Sequence, residues 1–200
     1  MPENSKQTKR LVLTALLGAI SALLMILEFP IPLVPPFIKM DFSELPVILG
    51  GFILGPAGGA LVALVKVALS VLMRGTDTAF IGEIANLTYS LGYMLPAVLI
   101  YRKLKTKKGA AISLFTGTVI TSIIAVIMNI FVIFPLYAKL IGLDLSTIVG
   151  MGTSANPFIK DLTGLMIFAI LPFNLFKYGV TSVISFLLYK KLSTAIRNHM

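Results

Sequence analysis

The chain has 200 residues, of which 57% are hydrophobic and only 12% are charged, and its mean hydropathy is +0.96. This composition leaves too little polar surface to cover a water-soluble domain, so most of the chain must face lipid. The net charge of +9 could indicate nucleic-acid binding, but in a membrane protein an excess of Lys and Arg is more typical of cytoplasmic loops. The absence of Cys and the single His argue against disulfides and against a metal site.

The first predicted helix covers residues 11–29, after a short basic segment. A small-residue site inside the helix resembles a signal-peptide cleavage site, but the apolar run continues beyond it, so we interpret the segment as a retained membrane helix. Four small residues are predicted to lie on one face: Ala15, Gly18, Ala19 and Ala22. Such a face allows close approach of another helix, either within this protein or from a partner.

Residues 30–42 are predicted to form the first extracellular loop, because four prolines deny this segment a helix and favour extended backbone. The loop mixes aromatic, apolar and charged side chains: Phe37, Lys39, Met40 and Asp41. An ordinary interfacial loop would explain this mixture. A lid would use the same chemistry, with apolar groups covering a flat ligand and polar groups fixing its edge.

Five further helices are predicted at residues 43–55, 58–73, 80–101, 110–137 and 164–189. The first two form a tight hairpin around a Gly- and Pro-rich turn, and their shortness is compatible with tilted or incomplete spans. Each of the three long helices contains a proline that is expected to kink it: Pro96, Pro135 and Pro172. The sequence therefore predicts an all-α integral membrane protein, a single domain of residues 1–200 built as a six-helix bundle.

Charge placement predicts that both termini are cytoplasmic. With six spans, 11 of the 17 basic residues fall on the side of the termini: Lys6, Lys9, Arg10, Arg102, Lys103, Lys105, Lys107, Lys108, Lys190, Lys191 and Arg197. This asymmetry satisfies the positive-inside rule. Removing one helix of the short hairpin would move residues 102–108 outside, so an even number of spans is favoured.

Six polar side chains fall within the predicted spans: Lys66, Glu83, Asn86, Asn129, Asn174 and Lys177. A charge at the centre of a span costs roughly 2.5–3.5 kcal/mol, so it needs a partner or a wet cavity. The asparagines could also be structural, since they bond across helices in many bundles. Spacings of three and four residues are expected to place most of these side chains on one face of each of the last three helices. Their expected depth is the outer half of the bilayer, where an extracellular solute could arrive.

The two lysines in the spans have different expected partners. Lys66 is expected to pair with Glu83 or Glu44, which we interpret as a structural contact. Lys177 has no acidic neighbour on its own helix, so its expected partner is a ligand acceptor or a backbone carbonyl.

Motifs of common enzymes are missing from the sequence. The phosphate-binding pattern G-x-x-x-x-G-K-[ST] does not occur, so this chain is not the ATPase of a pump. Neither a Gly-x-Ser-x-Gly elbow nor a cluster of His and carboxylates indicates hydrolysis. The sequence therefore favours a binding or transport function over catalysis.

Several segments together resemble a known family: Phe29-Pro30-x-Pro32, Lys39-Met40-Asp41-Phe42-Ser43-Glu44-Leu45-Pro46 and Gly50-Gly51-Phe52-x-x-Gly55-Pro56, followed by Gly59 and Lys66. The family is that of the riboflavin-specific substrate-binding subunits (S components) of energy-coupling factor (ECF) transporters. The resemblance covers nearly the whole chain and includes the Ala15-x-x-x-Ala19 pattern of the first helix. Its most specific part is the segment from Phe29 to Pro56.

The resemblance implies a cell-membrane subunit that captures riboflavin from outside as a transported ligand, with no cofactor and no ATPase activity. It implies docking, through the small-residue face of the first helix, on a transmembrane coupling subunit that carries two cytoplasmic ATPases. Toppling of the S component in the membrane would then carry the ligand across. Asn129 and the pair Asn174 and Lys177 match polar ligand positions of the family, whereas Glu83 and Asn86 are added only from their depth and face.

Two alternatives remain open at this stage. The chain could be an S component for another vitamin or precursor, or a membrane assembly protein whose polar residues only cement helices. Riboflavin needs apolar walls for its flat ring and amide, ammonium or carboxylate partners for its polar edge and ribityl hydroxyls. With no Trp, those walls must come from Phe, Tyr, Met, Leu and Ile, and thiamine, a cation held by aromatic stacking, is less expected.

Overall fold

The protein is described by a computed structural model that covers the backbone of residues 3–199 and the side chains of residues 6–188. The side chains of Lys190, Lys191 and Arg197 therefore lie outside the described part. Within it, five helices are long and apolar enough to cross a membrane: Lys6–Ile26, Pro56–Arg74, Ile81–Leu104, Lys107–Ile141 and Leu162–Leu188. The fold is that of an all-helical multi-pass membrane protein.

Helix α1 (Glu3–Ile26) starts and ends earlier than predicted and leads into a two-stranded hairpin. Strands β1 (Phe29–Pro30) and β2 (Lys39–Met40) pair antiparallel, with Phe29 opposite Met40 and Pro30 opposite Lys39. The backbone is extended there, as the prolines predicted, and the pairing ties the two ends of the first loop together.

Helix α2 (Glu44–Leu54) is the shortest of the predicted spans, with 11 residues. At 1.5 Å per residue it extends about 16 Å, roughly half of a 30 Å hydrocarbon layer. It contacts α1 and three later helices, at Pro56–Arg74, Ile81–Leu104 and Leu171–His199. Nine of its residues are buried, as expected for a helix that is apolar on all sides.

The turn between α2 and α3 (Pro56–Arg74) is made by Gly55 at φ 86°, a conformation that favours glycine, and Pro56 then starts α3. Gly59 also requires its lack of a side chain, because a Cβ there would lie 2.7 Å from the Gly51 Cα. The predicted tight hairpin is therefore present, and glycines bring its two helices into backbone contact.

The remaining helices are longer than predicted. After α4 (Ile81–Leu104), helix α5 (Lys107–Met128) continues through a π-helical turn, Asn129–Ile133, into α6 (Phe134–Ile141). The last span begins with α8 (Leu162–Leu165) and passes through a second π-helical turn, Met166–Ile170, into α9 (Leu171–His199).

Both π-helical turns lie just before a proline. In the first, the Phe134 N–H bonds the Asn129 carbonyl, and Pro135 follows. In the second, the Leu171 N–H bonds the Met166 carbonyl, and Pro172 follows. A proline inside a helix has no N–H to donate and its ring collides with the carbonyl four residues before it, so a wider turn relieves the conflict. At Pro135 and Pro172 the helix is therefore interrupted by π-helical turns, whereas α4 continues through Pro96 as a single α-helix.

Helix α7 (Leu145–Ala155) was not predicted and lies on the side of the bundle near α6 and α8. Asp144 caps it by accepting a 2.9 Å hydrogen bond from the Thr147 backbone N–H. Hydrogen bonds from the Thr147 side chain and backbone, and from Ser146, lower the pKa of this exposed carboxyl below its ordinary value. Only Ile148 and Gly152 of α7 are buried, so its sequence lacks the long apolar stripe that identifies a membrane span.

Candidate functional site

A cavity of about 360 Å³ lies between the first loop, the α3–α4 connection, α4, the first π-helical turn and α9. Its volume falls in the range of small-molecule sites. Eight of the nine predicted ligand residues line it: Phe37, Lys39, Asp41, Glu83, Asn86, Asn129, Asn174 and Lys177. The ninth, Met40, is 2% exposed and lies outside the lining, because consecutive residues of β2 point to opposite sides and Lys39 faces outward.

Lys177 and Asp41 form an ion pair in the floor of this cavity. Lys177 Nζ donates to Asp41 Oδ2 at 2.6 Å, and the Ser43 backbone N–H donates to Asp41 Oδ1 at 2.8 Å. Burial alone would raise the pKa of Asp41, but the ammonium groups of Lys177 and Lys66 and these hydrogen bonds bring it below its ordinary value. Sequence reasoning did not foresee Asp41 as a partner of Lys177, because this acidic neighbour comes from the first loop and not from the same helix. A contact between Lys177 and a ligand stays a prediction.

A second buried network lies behind the first and joins α2, α3 and α4. Lys66 Nζ donates to Glu44 Oε1 at 2.8 Å and to Ser90 Oγ at 2.6 Å, and Ser90 Oγ donates to the same carboxylate oxygen at 2.6 Å. The side chains of Lys66 and Glu44 are fully buried. The predicted pairing of Lys66 with Glu44 is confirmed, and the alternative partner Glu83 is excluded. The network locks three helices together and does not reach the cavity.

The asparagines present acceptors to the cavity. Asn129 Nδ2 donates to the Tyr89 hydroxyl at 2.9 Å and to the Ala125 carbonyl at 2.8 Å. Asn174 Nδ2 donates to the Ile170 carbonyl at 2.8 Å. These bonds all use Nδ2, and neither Oδ1 atom accepts a hydrogen bond from the part of the chain that the structure describes. Asn86 Oδ1 is buried and has no hydrogen-bond partner among the described residues.

Glu83 lines the cavity, but its carboxylate is already engaged. Its Oε2 accepts from the hydroxyls of Thr76 at 3.1 Å and Thr78 at 3.0 Å, both in the α3–α4 connection. The structure therefore ties Glu83 to the wall of the cavity.

A network of two ion pairs that share one carboxylate lies at the solvent-exposed edge of the cavity. Glu28 Oε1 accepts from Lys39 Nζ and from Arg74 Nη1, each at 2.8 Å. These contacts link the end of α1 and the end of α3 to the hairpin of the first loop. Sequence reasoning did not assign Glu28 or Arg74 to the site, although Glu28 follows the end of α1 by two residues and Arg74 ends α3.

Sequence reasoning also did not identify which aromatic residues, apart from Phe37, form the walls of the cavity. Besides the predicted Phe37, five aromatic side chains line the cavity: Tyr89, Phe134, Tyr137, Phe173 and Tyr178. Tyr89 is three residues after Asn86, so the helical spacing that selected Asn86 could have found it. The arrangement can hold a flat, partly polar ligand, with aromatic groups against its faces and amides around its edge.

The small residues of α1 divide between two environments. Gly18 and Ala22 are buried, and a Cβ at Gly18 would collide with Val65 of α3. Ala15 is exposed and Ala19 is half-buried. Only Ala15 and Ala19 are therefore accessible to another protein, whereas Gly18 and Ala22 allow the close packing of α1 on α3.

Comparison with known proteins agrees with this architecture. The family model described as "ECF transporter, substrate-specific component" matches residues 9–189. A protein of Staphylococcus aureus (strain TCH60) named "Riboflavin transporter RibU" is 34% identical over 194 residues, which cover 97% of this chain and 95% of that protein. "Riboflavin transporter FmnP" of Bacillus subtilis (strain 168) is 32% identical over 189 residues, 93% of each chain.

A solved structure described as "Structure and mechanism of the S component of a bacterial ECF transporter" superposes with a TM-score of 0.74 at 32% sequence identity. The match covers 94% of this chain and 97% of that chain. Members of this family are substrate-binding membrane subunits and not enzymes. From the family model, the relatives and the shared fold, the chain belongs to the substrate-specific components of ECF transporters.

Proposed function

We propose that this chain binds riboflavin from outside and delivers it to an ATPase-driven coupling module. The observation that carries the proposal is the cavity in which the Asp41–Lys177 pair and three asparagines lie among six aromatic side chains. Two relatives that match this chain almost end to end are named as riboflavin transporters, which supports the same ligand.

The chemistry of the lining suits the parts of riboflavin. The isoalloxazine ring is flat and apolar on its faces, which suits walls such as Phe37 and Phe173. Its pyrimidine-like edge carries an N–H donor and carbonyl acceptors, which suit the Oδ1 atom of an asparagine and the ammonium group of Lys177. The ribityl hydroxyls can donate to Asp41 or Asn86. Met40 supports the loop from the core side in this proposal.

The proposed topology has six helices with both termini cytoplasmic, and α2 as a half-length span. The start of α1 and the α2–α3 turn lie at one end of the bundle, since Arg10 Nη2 donates to the Leu54 carbonyl at 2.9 Å. Most of the basic residues with described side chains lie at this end or within residues 102–108, where α4 ends and α5 begins. The Glu28–Arg74 contact lies at the other end of α1 and α3, beside the cavity. This polarity agrees with a basic cytoplasmic side and an outward-facing site.

The proposed partners are an ECF transmembrane coupling subunit and two ATPases. The exposed Ala15 and half-buried Ala19 support docking through α1, because small side chains let a second helix approach closely. In this arrangement the binding chain supplies specificity, and the partner subunits supply the energy.

Purification from cells grown with riboflavin tests the ligand. We expect yellow protein that, after removal of the vitamin, quenches the fluorescence of added riboflavin. Thiamine and biotin in excess should leave this quenching unchanged, because they should not displace riboflavin. Colourless protein that leaves riboflavin fluorescence unchanged would overturn the proposal, and displacement by another vitamin alone would reassign the ligand.

A further inference from the structure

The α3–α4 connection, residues 75–80, forms a wall shared by two cavities. Asp77 and Thr78 line the main cavity and also an adjoining cavity of about 190 Å³, whose other walls are mostly apolar residues of α6 and α7. Phe37, Phe134 and Tyr137 also line both cavities, so this short segment is one part of the boundary between them.

The connection has a backbone conformation that needs external support. Ala79 has φ 49° and Phe80 has φ 67°, so two consecutive residues with side chains occupy the left-handed region. The Cβ atom disfavours this region for all residues except glycine and, to a smaller degree, Asn and Asp. Such strain persists only where surrounding contacts over-determine the conformation.

Five hydrogen bonds supply that support, and they converge on Glu83. The Thr76 hydroxyl donates to Glu83 Oε2 and accepts from the backbone N–H groups of Thr78 at 3.3 Å and Phe80 at 3.1 Å. The Thr78 hydroxyl donates to the same oxygen and accepts from the Gly82 N–H at 3.0 Å. By accepting both hydroxyl protons, the carboxylate orients both oxygens toward the backbone N–H groups.

We propose that Glu83 is a positioning residue, which holds the α3–α4 connection in place through Thr76 and Thr78 and thereby slows escape of the ligand from the main cavity. The part that concerns the ligand rests on the proposed riboflavin function. The part that concerns the connection does not, because it follows from contacts within the chain.

We call the five hydrogen bonds among Thr76, Thr78, Glu83 and the backbone the clamp. Hydrogen exchange in the ligand-free protein tests directly whether it holds the α3–α4 connection in place. In Glu83→Leu we expect amide exchange across residues 76–82 to rise about 10-fold, with no change in the α5–α9 contact region. Glu83→Gln should behave nearly as the parent, because its amide oxygen still accepts from both hydroxyls. Thr76→Val combined with Thr78→Val should reproduce the effect of Glu83→Leu. Unchanged exchange in either disrupted variant would overturn the proposal.

A double-mutant cycle separates positioning from direct ligand contact. In stopped-flow measurements of riboflavin fluorescence, Glu83→Leu should raise the dissociation rate about 10-fold and change the association rate less. In the Thr76→Val/Thr78→Val background, Glu83→Leu should add almost nothing, since the clamp is already lost. An undiminished effect in that background would mean that Glu83 contacts the ligand, and the positioning role would be refuted.

Asp77→Asn is the matched control, because Asp77 lines both cavities but takes no part in the five bonds. It should leave the exchange of residues 76–82 unchanged. If the parent protein failed to bind riboflavin, the proposed function would be refuted. The exchange experiment would still show whether Glu83 holds the α3–α4 connection. If Glu83→Leu did not accumulate as folded protein, the double threonine variant would decide the clamp alone.

Discussion

Lys177 of α9 and Asp41 of the first loop are 136 residues apart in sequence, and their charged groups meet at 2.6 Å. Lys177 also lies one turn from Asn174, on the same face of α9. The contact therefore connects the first loop to a helix, and both line the cavity. A ligand that bonds either group must fit beside an existing ion pair.

Replacing Lys177 by Met should weaken riboflavin binding about 10- to 100-fold, because a buried ligand group loses a charged partner worth roughly 1–3 kcal/mol. Titration by fluorescence quenching measures the change in Kd. Lys160→Met, at an exposed position outside the cavity lining, is the control and should bind as the parent does. Equal Kd values for the two variants would contradict a role of Lys177 in the site.

The Lys66–Glu44 pair should contribute to stability and not to ligand recognition. Lys66→Met alone should lower the free energy of unfolding by about 3–5 kcal/mol, since it leaves a buried carboxylate without its counter-charge. Adding Glu44→Gln should recover much of that loss, because neither charge then remains. Thermal unfolding in detergent compares the variants. A double variant less stable than Lys66→Met would show that the buried charge is not the cause.

The pH dependence of stability should carry a contribution from Asp41. Its pKa in the folded protein lies below the ordinary 3.8, so the folded state favours the charged form. The resulting stabilisation is fully present well above pH 3.8 and is lost as the pH falls through the lower folded-state value. Melting temperatures between pH 6 and pH 3 should therefore fall more steeply for the parent than for Asp41→Asn. Parallel curves would contradict this assignment.

Substitution of the accessible small residues should separate docking from ligand binding. Ala15→Trp and Ala19→Trp should leave the Kd for riboflavin unchanged but reduce co-purification with the coupling subunit and vitamin uptake, because a large ring blocks close helix approach. Leu16→Trp, at another exposed position of α1, is the matched control. Gly18→Leu should instead destabilise the protein, since it inserts a side chain between α1 and α3. Uptake lost equally in Leu16→Trp would argue against a specific docking face.

The features that could be predicted from sequence depend on local patterns. Apolar runs locate the membrane helices, Pro and Gly locate the first loop and the α2–α3 turn, and helical spacing places Asn86 and Asn174 on faces that meet the cavity. Each of these depends on residues within a few turns of one another. The Lys66–Glu44 pair was within reach because the two residues belong to adjacent segments of one hairpin.

What could not be predicted depends on how distant segments pack. The partner of Lys177 lies on a loop at the other end of the sequence, and only the folded chain brings the two together. The π-helical turns shift the register of a helix by a fraction of a turn, which periodicity does not resolve over five residues. For Glu83 the depth and helix face predicted a ligand contact, which stays a prediction. Its hydroxyl partners, Thr76 and Thr78, belong to a connection whose conformation has no sequence signature.

The short α2 has a consequence for the way the protein enters the membrane. Eleven residues that begin with Glu44 are too short to cross the hydrocarbon layer alone, so we expect α2 and α3 to insert together as a helical hairpin. Lys66 then travels with the carboxylate that neutralises it, and the hairpin brings no isolated charge into the hydrocarbon layer. The same pair that joins three helices in the finished fold thus makes α2 insertable during biosynthesis.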